Sequence, residues 1–343
     1  MGSVKQTTII QPANESKPGV GVFRFSDDYS IFDWGIMPDE IERKGLALAA
    51  MAGFNFERLK ERGIRTHYQR FFGLDRIEFD LAVKYSPIAR NFLTGSGKPN
   101  VVYDYSFFKE NRGQLNNFLI PLEIIFRNGL PKGSSVFKKL KKAEGNPASI
   151  KLILDELGLT KVPKEGDMLP KPIIGYTTKL EEGDRNLTED EAYRISGLTE
   201  KEFVKIAPLA LQVNDYINER AKQTGLAPHW DGKVEMVYNN GLVLADVLGT
   251  LDEDRFGDGI SKEVLRQWYK IHQPKFAEAC DKLKETGEGW QERCVQPIKL
   301  PRELSRLVSQ MYMSACNLWV GEGIFSGVPN LENIMENLKE YRD

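Results

Sequence analysis

Two runs of β-branched and apolar residues meet at Asn240-Gly241, within a stretch spanning residues 231–256. Asn-Gly between such runs predicts a hairpin, because a type I′ turn needs positive φ at both central positions. Residues 3–10 and Gly19 to Phe25 read as two further strands joined by a Pro/Asn/Ser loop, and they are expected to pair. From Lys44 to Arg62 apolar residues such as Leu46, Ala49, Ala50 and Leu59 recur at helical spacing, and Gly63 supplies the stop. Residues 77–83 alternate apolar and polar, and Leu119 to Phe126 reads as a buried strand entered through Pro121. Lys138 to Gly166 is polar and Lys-rich with Pro147 and Pro163, which predicts a flexible connection or an insertion.

Beyond it, Pro170 to Lys179 is extended, and Thr188 caps a short helix with an acidic first turn. Residues 199–224 predict one long amphipathic helix ending at Gly225. Ser261 caps another helix that Pro274 ends, and residues 303–320 give a last apolar helical pattern.

Composition narrows the ligand. A chain of 343 residues, 41% hydrophobic and 28% charged, is ordinary globular material. Its net charge of -2, with both signs interspersed, gives no footprint for nucleic acid or for an anionic membrane, so a small ligand is expected. Cys280, Cys294 and Cys316 are odd in number and lack metal-ligand spacing, which points to buried thiols in a reducing compartment, the cytoplasm. No run approaches a membrane span, and Met1-Gly2 lacks the Ser or Thr at position six that myristoylation asks for, since Gln6 stands there. Thr94 to Pro99 is Gly-rich without Walker spacing, and Gly19-Val20-Gly21 precedes a strand rather than opening a helix.

Candidate chemistry gathers on the hairpin. With Asn240 and Gly241 as a two-residue loop, Glu235 falls directly opposite Asp246, and opposed like charges make better sense with a cation between them, magnesium being the natural choice. Lys233 shares the face of Glu235 two residues along. Lysine, carboxylates and magnesium make a nucleotide phosphate site, the alternative being an ordinary solvated hairpin. At the end of the apolar strand, Arg127 with Lys132-Gly133-Ser134-Ser135 suits a substrate carboxylate or phosphate, unless it is a solvated loop. His67, His229 and His272 form no triad-like constellation.

These motifs, taken in order, resemble those of the phosphoribosylaminoimidazole-succinocarboxamide synthase (SAICAR synthetase) family. The matching stretches are Gly2 to Lys5, Asp27 to Asp33 with Arg43-Lys44-Gly45, Pro121 to Asn128 with Gly133-Ser134, Thr178-Lys179 through Asp184, and Lys233-Val234-Glu235 with Asp246 and Asp252 to Arg255. Ser3, Gly183 and the triplet Ala245-Asp246-Val247 depart from the family's usual lysine, histidine and Gly-Asp-Glu. The resemblance implies an α+β fold of two lobes with ATP between them: an antiparallel-sheet lobe over 1–118, a sheet-and-helix lobe over 119–276, and a helical C-terminal extension over 277–343. It further implies ligation of carboxyaminoimidazole ribonucleotide (CAIR) to L-aspartate with ATP and Mg2+. Lys5 and Lys233 would meet ATP phosphates, Glu235 and Asp246 the metal, and Arg127, Ser134, Lys179, Asp184, Arg255 and Lys270 the other substrates. A same-fold ligase for another carboxylate or amine and a nucleotide-binding regulatory module are the rivals. A kinase would need His-Arg-Asp and Asp-Phe-Gly, neither of which occurs. The oligomeric state stays open, a homo-oligomer included.

Overall fold

The computed structural model describes residues 4–93, 99–284 and 289–342. Strands β1 (Lys5–Gln11) and β2 (Gly19–Phe25), helix α1 (Lys44–Glu61), and strands β3 (Tyr68–Phe72) and β4 (Arg76–Leu81) build an antiparallel sheet of order β1-β2-β4-β3. Alternation sends Phe23, Phe25, Ile77 and Phe79 to one face, which α1 covers with Phe56 and Leu59. Phe23 stacks on Phe79 at 4.0 Å, and Gly21 leaves room for that ring, since a Cβ there would lie 2.4 Å from Phe79 Cζ. A hairpin of β5 (Ile88–Leu93) and β6 (Pro99–Asp104) and a short α2 (Ser106–Glu110) lead into the second sheet. Of the Gly-rich stretch Thr94 to Pro99, all but Pro99 lies outside the described residues.

The second sheet opens with β7 (Phe118–Leu130), followed by α3 (Ser135–Lys142), α4 (Pro147–Leu157), β8 (Asp167–Thr178) and β9 (Asn186–Leu187). After α5 (Glu189–Ile195), α6 (Glu200–Phe203) and α7 (Ile206–Thr224) come β10 (His229–Tyr238), β11 (Leu242–Ala245) and β12 (Arg255–Phe256). The order is β11-β10-β7-β8-β9, with β12 pairing β10, all antiparallel. One face, with Leu122, Ile124, Phe126, Val234 and Met236, is buried in the same core as α7, while the alternate positions carry charge. The sheets are joined where residues 65–67 run beside β11: His67 N donates to Leu244 O at 2.8 Å and Leu244 N to Arg65 O at 2.9 Å.

Two sequence expectations fail for identifiable reasons. Of the flexible connection or insertion expected over 138–166, the flexible connection fails: these residues hold most of α3 and all of α4, between β7 and β8. Pro147 starts α4 at its first turn, where its missing N–H costs nothing, Asn146 accepts from Ser149 N at 3.1 Å, and Gly158 at φ 65 ends the helix. The long helix over 199–224 is also broken, because Pro208 has no N–H for the Val204 carbonyl, so α6 ends and α7 begins afresh at Ile206.

Helices α8 (Glu263–His272), α9 (Pro274–Leu283), α10 (Arg302–Val320) and α11 (Leu331–Leu338) complete the chain. Ser261 Oγ accepts from Glu263 N at 3.1 Å, and Pro274 closes α8 by opening α9. A continuous apolar core runs from Phe23 through Val234 and Trp319 to Leu338. Among the described residues no helix is long and apolar enough to cross a membrane.

Candidate active site

The β10–β11 hairpin forms, but in another register. Tyr238 pairs with Leu242, leaving Asn239-Asn240-Gly241 as a three-residue loop with Asn240 at φ 49 and Gly241 at φ 124. Glu235 therefore sits opposite Ala245, not Asp246 as a two-residue loop requires. In an unbroken strand that slip would send Asp246 to the far face. Asp246 instead lies one residue past the strand at φ 60, in the left-handed region, and its carboxylate turns back to accept a hydrogen bond from the Glu235 carboxyl when that group is protonated. The two acids meet as expected, through a turn rather than through pairing. His67 Nε2 lies 3.1 Å from the Asp246 carbonyl and ties the turn to the first sheet.

Three lysines converge on these acids. Lys5 of β1 forms an ion pair with Asp246. Lys179, just past β8, bridges Glu123 at 3.1 Å and Glu235 at 2.6 Å, while Lys233 reaches Glu123 at 2.7 Å and Glu253 at 3.4 Å. Asp184 lies within electrostatic reach of Glu123, Lys233 and Lys179. Five carboxylates thus face three lysines, with Lys262 a fourth cation in electrostatic reach of Glu253, so the acids outnumber the bases. Burial, then the Asp246 charge, pushes Glu235 up to about 8. Asp246, although buried, is held well below the usual carboxylate range by Lys5 and Lys179. Asp184 is pushed up to about 6 by desolvation and then by Glu123, although part of its side chain still faces solvent.

Carboxylates that outnumber the lysines, with Glu235 keeping its proton in the absence of a cation, fit a divalent cation such as magnesium. Glu235 Oε1 is buried without a hydrogen bond, Lys179 Nζ approaching it only as an ion pair. Among the described residues no group of three or more His, Cys, Asp or Glu is arranged to hold a metal by itself. Magnesium asks for no such cage, since it keeps waters and shares itself between one or two carboxylates and a substrate's phosphates.

Toward the start of β10, about 13 Å from Glu235 at ordinary strand rise, the charge changes sign. Asp231 pairs across the sheet with both Arg127 of β7 and Arg255 of β12. Arg255 grips Asp231 with two donors, and Arg127 donates to Ser134 Oγ at 2.7 Å and to Ser135 Oγ at 3.4 Å. Lys270 lies 3.5 Å from Glu263, whose Oε1 would be 2.6 Å from a Cβ at Gly133, so Lys270 reaches the Gly133-Ser134 loop through that acid. Arg127 and Arg255, distant in sequence, flank one residue and make one cationic end.

Lys5, Lys179, Asp184, Lys233, Glu235 and Asp246 gather at one end, and Arg127, Ser134 and Arg255 at the other, with Lys270 on the rim. Sequence reasoning missed Glu123, Asp231 and Glu253. Glu123 had a signal, as the one charge inside the apolar run Leu119 to Phe126. A cavity of about 360 Å³ lies toward the hairpin tip by His67, Asn117, Val237 and Val243, away from the charged cluster; charge, not hollow space, locates the chemistry.

A sequence model of the SAICAR synthetase family matches residues 13–283. Phosphoribosylaminoimidazole-succinocarboxamide synthase of Thermoplasma acidophilum is 32% identical, covering 85% of this chain and 90% of its own length. A protein of Archaeoglobus fulgidus provisionally given the same name is 38% identical, covering 99% of both chains. The fold is also that of the SAICAR synthase of Saccharomyces cerevisiae solved in complex with SAICAR, with a TM-score of 0.61 over 95% of each chain at 20% identity. The order of motifs, the antiparallel architecture and these matches lead to one conclusion: the chain belongs to the SAICAR synthetase family.

Proposed function

We propose that this enzyme joins CAIR to L-aspartate, forming SAICAR with conversion of ATP to ADP and phosphate. The observation that carries the reading at residue level is the two-ended site on one sheet face, acids and lysines at Glu235 and arginines and hydroxyls at Asp231. A carboxylate is a poor acyl donor because its leaving group would be oxide, so it must first be activated, most simply as an acyl phosphate. What the protein supplies is then placement and neutralisation of charge, with no side-chain nucleophile.

ATP lies between the lobe of residues 1–118 and that of residues 119–276, with Lys5 and Lys233 on its phosphates. Glu235 and Asp246 hold magnesium, which when bound neutralises phosphate charge. Arg127, Ser134 and Arg255, helped by Lys270, hold the ribonucleotide; guanidinium forks suit its carboxylate and phosphate better than point charges would. Lys179 and Asp184 present complementary charges to the carboxylates and amine of the amino acid. The free, buried cysteines accord with action in the cytoplasm.

The test supplies the protein with Mg·ATP, CAIR and each candidate amino acid, and measures ADP and the succinocarboxamide product. Aspartate should give both, and Glu235→Ala or Asp246→Ala should each lower turnover by roughly a hundred-fold or more. ADP without the succinocarboxamide would overturn the substrate assignment, and normal turnover of either variant at limiting magnesium would remove the metal from Glu235 and Asp246.

A further inference from the structure

We propose that the segment beyond residue 283, which the family model leaves unmatched, is a working part of the active site, with Tyr312 of α10 positioning Lys233 through the loop after β11. The inference rests on the ligase reading, in which Lys233 meets ATP. Residues 246–254 form that loop, and its tight end is a turn in which Glu253 N and Asp254 N both donate to Thr250 O, at 3.2 and 2.8 Å. Three successive carboxylates leave this turn in three directions. Asp252 goes to Lys44 of α1 at 2.9 Å and to the Tyr312 hydroxyl at 2.6 Å. Glu253 goes to Lys233 at 3.4 Å. Asp254 goes to His229 at 2.9 Å and to Gly249 N at 2.7 Å.

Neighbouring residues in so short a turn cannot move independently. Fixing Asp252 fixes where Glu253 stands, and Glu253 with Glu123 fixes the Lys233 ammonium. Asp252 is buried, and Lys44 and Tyr312 are wholly so. Without the Tyr312 hydroxyl, one Asp252 oxygen would lose a charge-assisted bond that water is poorly placed to replace. The same helix grips the loop's other end. Trp319 Nε1 donates to Asn55 Oδ1 at 2.7 Å, and Asn55 Nδ2 in turn donates to the carbonyls of Leu248 at 2.9 Å and Gly249 at 3.1 Å. Both ends of the loop that carries Glu253 are therefore held by α10, directly at Asp252 and through α1 at Leu248-Gly249.

A brace of general stability and a positioning contact differ in what they couple to. Tyr312→Phe removes one oxygen atom and should lower kcat by about five-fold or more at a temperature where circular dichroism shows it folded. Asn317→Ala is the control: it removes hydrogen bonds between the same helix and the Phe325 backbone, at 2.8 and 3.0 Å, that reach neither Lys44 nor the loop, and should lower Tm without moving kcat. In the double variant Tyr312→Phe/Glu253→Gln, the second substitution should add less than half its separate effect on kcat. A calorimetric Kd for Mg·ADP gives the same comparison without turnover, so failure of the substrate assignment and failure of the Tyr312 inference can be told apart; Tyr312→Phe should weaken it several-fold. Additive effects in the double variant, or a Tyr312→Phe indistinguishable from Asn317→Ala in kcat and Kd, would overturn the proposal.

Discussion

Glu235 is where burial and charge conflict most openly, and the conflict has a measurable sign. A carboxyl raised to about 8 on folding holds its proton more tightly folded than unfolded, so the stability it contributes is full below its unfolded value and is lost as pH rises toward 8. Asp184 and Asp254, raised to about 6, act in the same direction but finish earlier, and His67, lowered to about 4 by burial, acts oppositely below 6.5. Between pH 6.5 and 8 the metal-free protein should lose up to about 2 kcal/mol. Magnesium, or Glu235→Gln, should flatten that slope. Urea titrations across the window decide it, and an equal slope in Glu235→Gln would move the effect elsewhere. At this scale the sequence was partly legible: Glu235, Asp246 and Lys233 could be picked by alternation and motif, but Asp246 comes to Glu235 through a left-handed turn that no periodicity announces. Asp231 stayed hidden because nothing local distinguishes an acid that two distant arginines flank from one facing water.

Among the elements, the loop after β11 depends on one residue without a side chain. Gly249 has φ 65, and a Cβ on it would sit 2.4 Å from Asn55 Nδ2, the atom that holds the loop's carbonyls. Gly249→Ala should therefore combine left-handed strain with broken buried hydrogen bonds, costing on the order of 3 kcal/mol, and should lower activity more than a surface Gly→Ala of similar φ such as Gly158→Ala. A Gly249→Ala protein with unchanged urea midpoint would mean that Asn55 can give way. The helix over 44–61 and β4 were readable because a buried face writes a period into the chain, and β7 because burial on both faces writes an unbroken apolar run. Helices α3 and α4 were not, because both are short and their apolar residues, Val136, Phe137 and Leu140 and then Ile153 and Leu157, are set among lysines and prolines that read as a connection, and Pro208 hid its break inside an otherwise periodic run.

For the whole molecule, the decisive fact is that one core includes residues from the first sheet to the last helix. Heating should give a single cooperative transition, followed by calorimetry and by tryptophan fluorescence together, with Trp319 and Trp268 buried in that core. Two resolved transitions would show that residues beyond 276 unfold separately. The apolar pattern over 303–320 did announce a buried helix, but a period says which face is hidden and not what lies against it. The contact at Asp252 has one more consequence. Lys44 of α1 and Tyr312 of α10 close on the same carboxylate, so one buried acid works as a buckle, drawing an early helix and a late one onto a single turn.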